Sequence, residues 1–257
     1  MSTPATTTTH LIIVCGHAIW LGGPSNGHDE SEWLIEAYKK GETPTFIAHI
    51  KAGCDLLNSD PNSVLVFSGA PTSPLTQTSE ARSYFSLAAA NGYFVPSSSS
   101  DDSKRKRILL EERALDSYHN ILFSLTLFFS AYSAWPRRVT IISHEFKRTR
   151  LVEGHCRAIG YPLDRVRYVG INPPGVEGKT GAMEGSQLAL GQWEQDPHGR
   201  GEELASKRVA RNHWGVGQGL FESEEVRGRS GVETVEYGEG MEALVEGGRR
   251  PWADGLV

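Results

Sequence analysis

Cysteine is scarce and scattered: Cys15, Cys54 and Cys156 are the three in the chain, and no two form a CxxC pair. That spacing makes neither a zinc site nor a disulfide framework and fits a reducing compartment. No Lys or Arg precedes the first apolar run, Leu11–Val14, so a secretory signal is not expected. The apolar stretch "ILFSLTLFFSAYSAW" is too short and too rich in Ser and Thr for a membrane span. A basic excess is missing as well. The net charge is -5, and the segment Gly215–Val257, with four Arg against eight Glu and one Asp, accounts for all of it. The remainder is formally neutral and offers no electrostatic footprint for nucleic acid. The expectation is a cytoplasmic protein with no membrane and no nucleic-acid partner. At 257 residues it is large enough to bury a substantial core.

What is present is a repeated alternation. "HLIIVCG", "SVLVFSG", "RILLEE", "RRVTIIS" and "DRVRYVGI" are short apolar runs of the kind that form buried parallel strands. Between them lie segments with helical spacing. Residues Glu30–Tyr38 and Thr45–Leu57 follow the first run, and in the second of these Phe46, Ile50, Cys54 and Leu57 share a face. "TSEARSYFSLAAANG" follows the second run, "YHNILFSLTLFFSAYSAW" the third, with Asp116 or Ser117 as its cap, and Phe146–Ile159 the fourth. Five alternations imply a mostly parallel five-stranded sheet with helices on both faces. Residues 1–9 are expected to be disordered and 10–214 to form a single α/β domain, with a helical extension from about 172. The ten glycines of 215–257 suggest a flexible Gly/Glu-rich tail.

In such a sheet ligands bind at the carboxyl ends of the strands, and here those ends are polar. The first run ends at Gly16 and His17, and the second at Ser68 and Gly69, with Ser79 and Glu80 opening the next helix. The third ends at Glu112, then Asp116, Ser117 and Asn120, and the fourth at Ser143 and His144, then Lys147 and Arg148. Each group taken singly has a plain structural role as a turn, cap or surface ion pair. A structural sheet does not require all four ends to be polar together. Cations in the first turn of a helix oppose its dipole, so Lys147 and Arg148 make most sense with an anion between them, held also by first-turn N–H groups. His17, Glu80, Glu112 and His144 are then the candidate catalytic groups. Gly16, Ser68, Gly69, Ser79, Asp116, Ser117, Asn120, Ser143, Lys147 and Arg148 are the candidate ligand contacts. No metal-ligand spacing is present.

The series "FSGA…TSEARSY", "LLEERALDSYHNILFS" and "VTIISHEFKRTRLVEGHCRAIGY" resembles the YdcF/SanA/ElyC-like family of domains of unknown function, and its opening resembles a soluble, fungal-type branch. The resemblance covers Leu11 to Val169 and rests on Ser68-Gly69, Ser79-Glu80-Ala81, Glu112, Ser117 with Asn120, and Ser143 with Arg148. His144 directly follows Ser143, earlier than the family's histidine, which leaves His17 as a second source of the imidazole. The resemblance implies a Rossmann-like three-layer sandwich and a pocket, with S-adenosylmethionine binding associated with one bacterial relative.

Three functions compete. The first is a protein that binds a small anionic ligand, nucleotide-like or phosphorylated, and in one version hydrolyses it, with His or Glu as base and Lys147 and Arg148 as anion stabilisers. The second is an S-adenosylmethionine-binding protein or transferase, for which "CGHAIWLGG" lacks the usual GxGxG. The third is a non-enzymatic interaction protein that uses the "SSSSDDSKRKR" loop, a reading that leaves the strand ends unexplained. The segment Asp196–Trp214 either folds back as a lid, with Lys207, Arg208 and Arg211 adding charge, or packs as a terminal helix.

Overall fold

The structure is a computed structural model that describes residues 8–94, 104–175, 180–238 and 240–253. The expected disorder at the N-terminus and the Ser-rich run of 95–103 fall largely or wholly outside those residues. Five strands form the central sheet: β1 (His10–Cys15), β2 (Ser63–Ser68), β3 (Ile108–Glu111), β4 (Arg138–Ser143) and β5 (Val166–Gly170). Their order is β3-β2-β1-β4-β5, and every neighbouring pair is parallel. The chain winds outward from β1 in one direction through β2 and β3, then returns to the other side for β4 and β5. The switch point, where a crevice must open, therefore lies between β1 and β4.

Successive residues of a strand face opposite sides, and both sides of β1 are buried. Leu11, Ile13 and Cys15 pack with Tyr118, Leu122 and Leu125 of α3 (Ser117–Tyr132). Ile12 and Val14 pack with Phe46, Ile50 and Cys54 of α1 (Thr43–Ser59), and with Tyr84 and Leu87 of α2 (Glu80–Ala90). The result is the expected α/β sandwich, helix layer on sheet on helix layer. Two side-chain caps fix where helices start. Ser79 Oγ accepts from Arg82 N at the head of α2, and an Asp116 carboxylate oxygen accepts from His119 N at the head of α3.

Two segments differ from the sequence expectation. Residues Glu30–Tyr38 do not form a helix. They make 3-10 turns at Glu30–Glu32 and Ala37–Lys39, around an antiparallel pairing of Trp33–Leu34 with Ile19–Trp20. The Glu32 carboxylate accepts from Trp20 Nε1 at 3.0 Å and from the N–H groups of Ser25 and Gly27 at 2.8 Å each. These tertiary bonds override a helical propensity that is weak in any case.

The second difference is the C-terminal segment. Beyond α5 (Thr180–Gln195) and α6 (Glu202–Arg211), residues that read as a flexible tail fold into α7 (Glu224–Ser230) and a strand pair, Thr234–Glu236 with Glu242–Leu244. Leu220, Phe221, Val232, Leu244 and Trp252 join the core on the α3 side. Averaged composition hides this, because the large residues are few but well placed and the glycines turn the chain between them. Trp252 is 1% exposed and meets Trp135 edge-on, with ring centroids 4.7 Å apart. Replacing Trp252 by Ala should cost about 3–5 kcal/mol, read as a lower midpoint in chemical denaturation. A midpoint unchanged within 0.5 kcal/mol, a surface-like effect, would show that the segment does not pack this way.

Candidate functional site

At the carboxyl ends of β1 and β4 the side chains enclose a cavity of about 520 Å³, within the range of small-molecule sites. The loop after β1, the start of α3, the residues after β4, and helices α5 and α6 all contribute to its wall. Of the residues singled out in the sequence, Gly16, His17, Glu80, Asp116, Ser117, Asn120, Ser143, His144 and Lys147 line it. The remaining five lie elsewhere.

Those five have structural partners. Ser68 is fully buried behind the wall and donates to Glu111 Oε2 at 2.7 Å and to Asn120 Oδ1 at 3.0 Å, which orients Asn120. Gly69 packs on Glu80. Ser79 caps α2 and donates to Glu112, whose carboxylate also holds Arg82 at 2.6 Å on the outer surface. Arg148 turns outward, forms a two-toothed pair with Glu145 and lies over the Tyr168 ring. The next basic residue, Arg150, takes the inward position instead.

The reason is helical pitch. After a 3-10 turn at Glu145–Lys147 the chain winds as a π-helix over Thr149–Cys156 and closes as α4 (Arg157–Ile159). Its buried residues are Arg150, Leu151, His155 and Cys156, a spacing of five that α-helical periodicity does not produce. A π-turn of this kind often marks a functional site. Here it puts Arg150 on the cavity wall and His155 directly behind it, against Ser117. The five-residue repeat of Arg-Leu and His-Cys was the available signal. Sequence reasoning passed over it, along with Tyr38 and Lys39, which a presumed helix had hidden.

Glycine is required at two points of the floor. A Cβ on Gly16 would stand 2.5 Å from Glu80 Oε2 and 2.6 Å from Glu80 Cβ; one on Gly69 (φ +153°) would stand 2.6 Å from Glu80 Oε2. The Glu80 side chain thus runs between the two loops, and Thr72 Oγ1 donates to its Oε1 at 2.9 Å. Burial pushes this carboxyl up from its ordinary pKa.

Imidazoles gather beside it. His17 Nε2 is 3.0 Å from Ser143 Oγ, its Nδ1 is 3.4 Å from Lys147 Nζ, and its backbone N–H donates to Tyr84. His144 lies 4.5 Å from the His17 ring and stacks on Phe146 at 4.8 Å. Its Nε2 comes within 3.5 Å of Glu42 Oε2, outside hydrogen-bond geometry, and neither ring nitrogen has a hydrogen bond among the described residues. His49 packs edge-on against both and reaches the Ile171 carbonyl at 2.9 Å. The three rings meet as an aromatic packing unit. Among the described residues no group of three or more His, Cys, Asp or Glu is placed to hold a metal ion.

Burial comes first in depressing these histidines, followed by Lys147 for His17 and His144 and by the His144 ring for His49. His49 falls to about 3 and His144 to about 2, His17 lies well below its usual value, and His155 falls to about 3 under burial and Arg150. Asp116 goes the other way from a buried carboxylate: burial alone would raise it, but His119 at 2.8 Å and Arg208 at 3.0 Å pull it well down.

The histidines set the acid stability. Each is neutral when folded and takes up a proton near pH 6.5 when unfolded, so the unfolded state binds more protons and stability falls as pH drops below about 6.5. The slope is about 1.4 kcal/mol per pH unit for each such group. His49, His144 and His155 together should therefore remove roughly 4 kcal/mol by pH 5.5, measured as the urea midpoint across pH 5–8. A flat profile in that window would mean that these rings are solvated in the folded protein.

The fold and the cavity define a doubly wound α/β protein with a polar crevice at its switch point. No family model and no solved structure matches the chain. It is similar to the uncharacterized protein YOR238W of Saccharomyces cerevisiae, 28% identical over 204 residues that span 63% of this chain and 67% of the yeast protein. Among the described residues no helix is long and apolar enough to cross a membrane.

Proposed function

We propose that the protein binds a small phosphorylated metabolite, nucleotide-like in shape, in the cavity at the carboxyl ends of β1 and β4. The observation that carries this reading is Arg150. It is 9% exposed, lines the cavity, and has neither a hydrogen bond nor an ion pair among the described residues. Lys147 beside it also lacks a carboxylate partner among the described residues, where its ammonium contacts His17 Nδ1. The other lining cations are engaged: Lys39 with Glu36, Lys207 with Gln192 and Glu203, Arg208 with Asp116, and Arg211 with the Leu115 carbonyl.

Arg150 Nε is buried without a hydrogen-bond partner, a costly state for a charged group, and a bound oxyanion offsets that cost with charge-assisted, two-toothed hydrogen bonds. Tyr38 and Leu188, 65% and 66% exposed, face the same cavity and supply flat apolar surface for a base. The unpaired cations favour phosphate over the sulfonium of S-adenosylmethionine. Membership of the YdcF/SanA/ElyC-like domains and a cytoplasmic setting belong to the same proposal. The strand-end motifs support the first, and the three free, buried cysteines are compatible with the second.

Inorganic phosphate, pyrophosphate and nucleoside phosphates, titrated against the protein in a thermal-shift assay, should stabilise it by about 2.7 kcal/mol at a hundredfold excess over Kd. Arg150→Met should weaken binding roughly 10- to 100-fold, the worth of a charge-assisted contact, while Arg148→Ala should leave it intact. Stabilisation by none of these anions, or equal binding by Arg150→Met, would sink the reading.

Protonation adds a second signature. Burial first, then Arg150 and Lys39, bring the Lys147 ammonium down to about 7. An anion placed against it raises that value again, so binding above pH 7 should draw in a proton and affinity should fall as pH rises from 7 to 9. Calorimetry in two buffers of different ionisation heat measures the uptake. The same heat in both would show that Lys147 does not face the anion.

A further inference from the structure

We propose that Ser117 is the nucleophile of a phosphoryl-transfer reaction in this cavity and that His155 accepts its proton; the proposal rests on the anion-binding reading. Ser117 Oγ is 2.8 Å from His155 Nε2, the spacing of an activated serine and its base. Ser117 also lines the cavity and is partly open to it. It opens α3, a 16-residue helix in which the Asp116 carboxylate takes the His119 N–H, leaving the N–H groups of Ser117 and Tyr118 at the helix head to face a phosphate. The independent observation is Arg150, buried and without a partner among the described residues, on the same wall and carried by the same π-helix as His155. The negative charge of Asp116, adjacent in sequence, is offset by Arg208 at 3.0 Å.

Ser143 and His17 form a similar pair at 3.0 Å but are less suited to this role. Ser143 is fully buried, and the second nitrogen of His17 faces the Lys147 ammonium, which restricts its capacity to take a proton. His155 has no such neighbour on its rear nitrogen in the hydrogen-bond network, and burial keeps its ring neutral. The cation that further depresses its basicity is Arg150. A phosphate bound to Arg150 cancels that field, so the base strengthens when the substrate is in place.

In the step itself Ser117 Oγ attacks the phosphorus of a phosphate monoester. The Oγ–P bond forms and the P–O bond to the alcohol breaks, while the Oγ proton passes to His155 Nε2 and then to the departing alkoxide. Water repeats the sequence on phosphoserine, returning the proton to Oγ and releasing inorganic phosphate. Lys147 and Arg150 hold the non-bridging oxygens.

The test uses the full chain with two probes, p-nitrophenyl phosphate and the reactive ester diisopropyl phosphorofluoridate, followed by quenching and peptide mapping. The expected result is up to one phosphorus per chain, located on Ser117 and absent from Ser117→Ala, with p-nitrophenol release lowered on the order of a thousandfold or more in that variant. Melting curves confirm that the variant is folded. A parallel titration with inorganic phosphate separates the two ideas. Stabilisation of the wild-type chain by phosphate with neither reagent on Ser117, or turnover that survives Ser117→Ala, overturns the nucleophile and leaves the anion site standing. No stabilisation and no label overturns both.

Discussion

The start of α3 depends on a buried ion pair. Arg208 of α6, 2% exposed, donates to Asp116 at 3.0 Å, to the Tyr237 hydroxyl at 2.9 Å and to the Gly199 carbonyl. Asp116 in turn caps α3 and binds His119. One guanidinium thus joins the C-terminal segment to the residue that sets where α3 begins, and so to the position of Ser117. Such a pair adds little net stability compared with an apolar replacement, because both charges were taken from water. Losing one partner is another matter, at 3–5 kcal/mol, since the other is left buried and alone. Its contribution is registry: it ties α6 to α3 at a single point.

The opposite wall is fixed by close approach. Glu80 threads between Gly16 and Gly69, where no side chain could stand, and its carboxyl is fastened by Thr72. Lys39 reaches across to donate to the His17 carbonyl at 2.6 Å. The loop after β1 is therefore held at its base by sterics and at its tip by a hydrogen bond. This rigidity matters for a site whose imidazoles make few bonds of their own, because packing has to do what hydrogen bonds do elsewhere. The unsatisfied nitrogens of His144 remain a local cost of that arrangement.

Much of the architecture was legible because strands buried on both faces announce themselves as continuous apolar runs, and because Asp116 and Ser79 are strong caps. The polar strand ends pointed to the edge of the sheet where the cavity opens, and nine of the residues chosen there line it. The failures share a cause: each assumed α-helical pitch or averaged composition where local geometry decides. Under α-helical spacing Arg148 looked as well placed as Lys147, but the π-helix rotates Arg150 inward and frees Arg148 for Glu145. Adjacent glutamates were likewise exchanged. Strand alternation turns Glu111 inward, to Ser68 and the N–H groups of Arg113 and Ala114, and sends Glu112 to the surface. Tyr38 and Lys39 lay in a segment shaped by Glu32, whose bonds span too many residues for periodicity to reveal.

Lys147 and Arg150 share the cavity wall. Burial first, and Arg150 second, lower the Lys147 ammonium, and burial first, then Arg150 or Lys147, lowers His155 and His17. A neutral or cationic ligand would leave that mutual repulsion in place. An anion removes it at every member at once, because the same charge that satisfies Arg150 raises the proton affinity of Lys147, His17 and His155 together. On the proposed anion-binding reading, that repulsion favours a ligand of negative charge even before any individual hydrogen bond is counted.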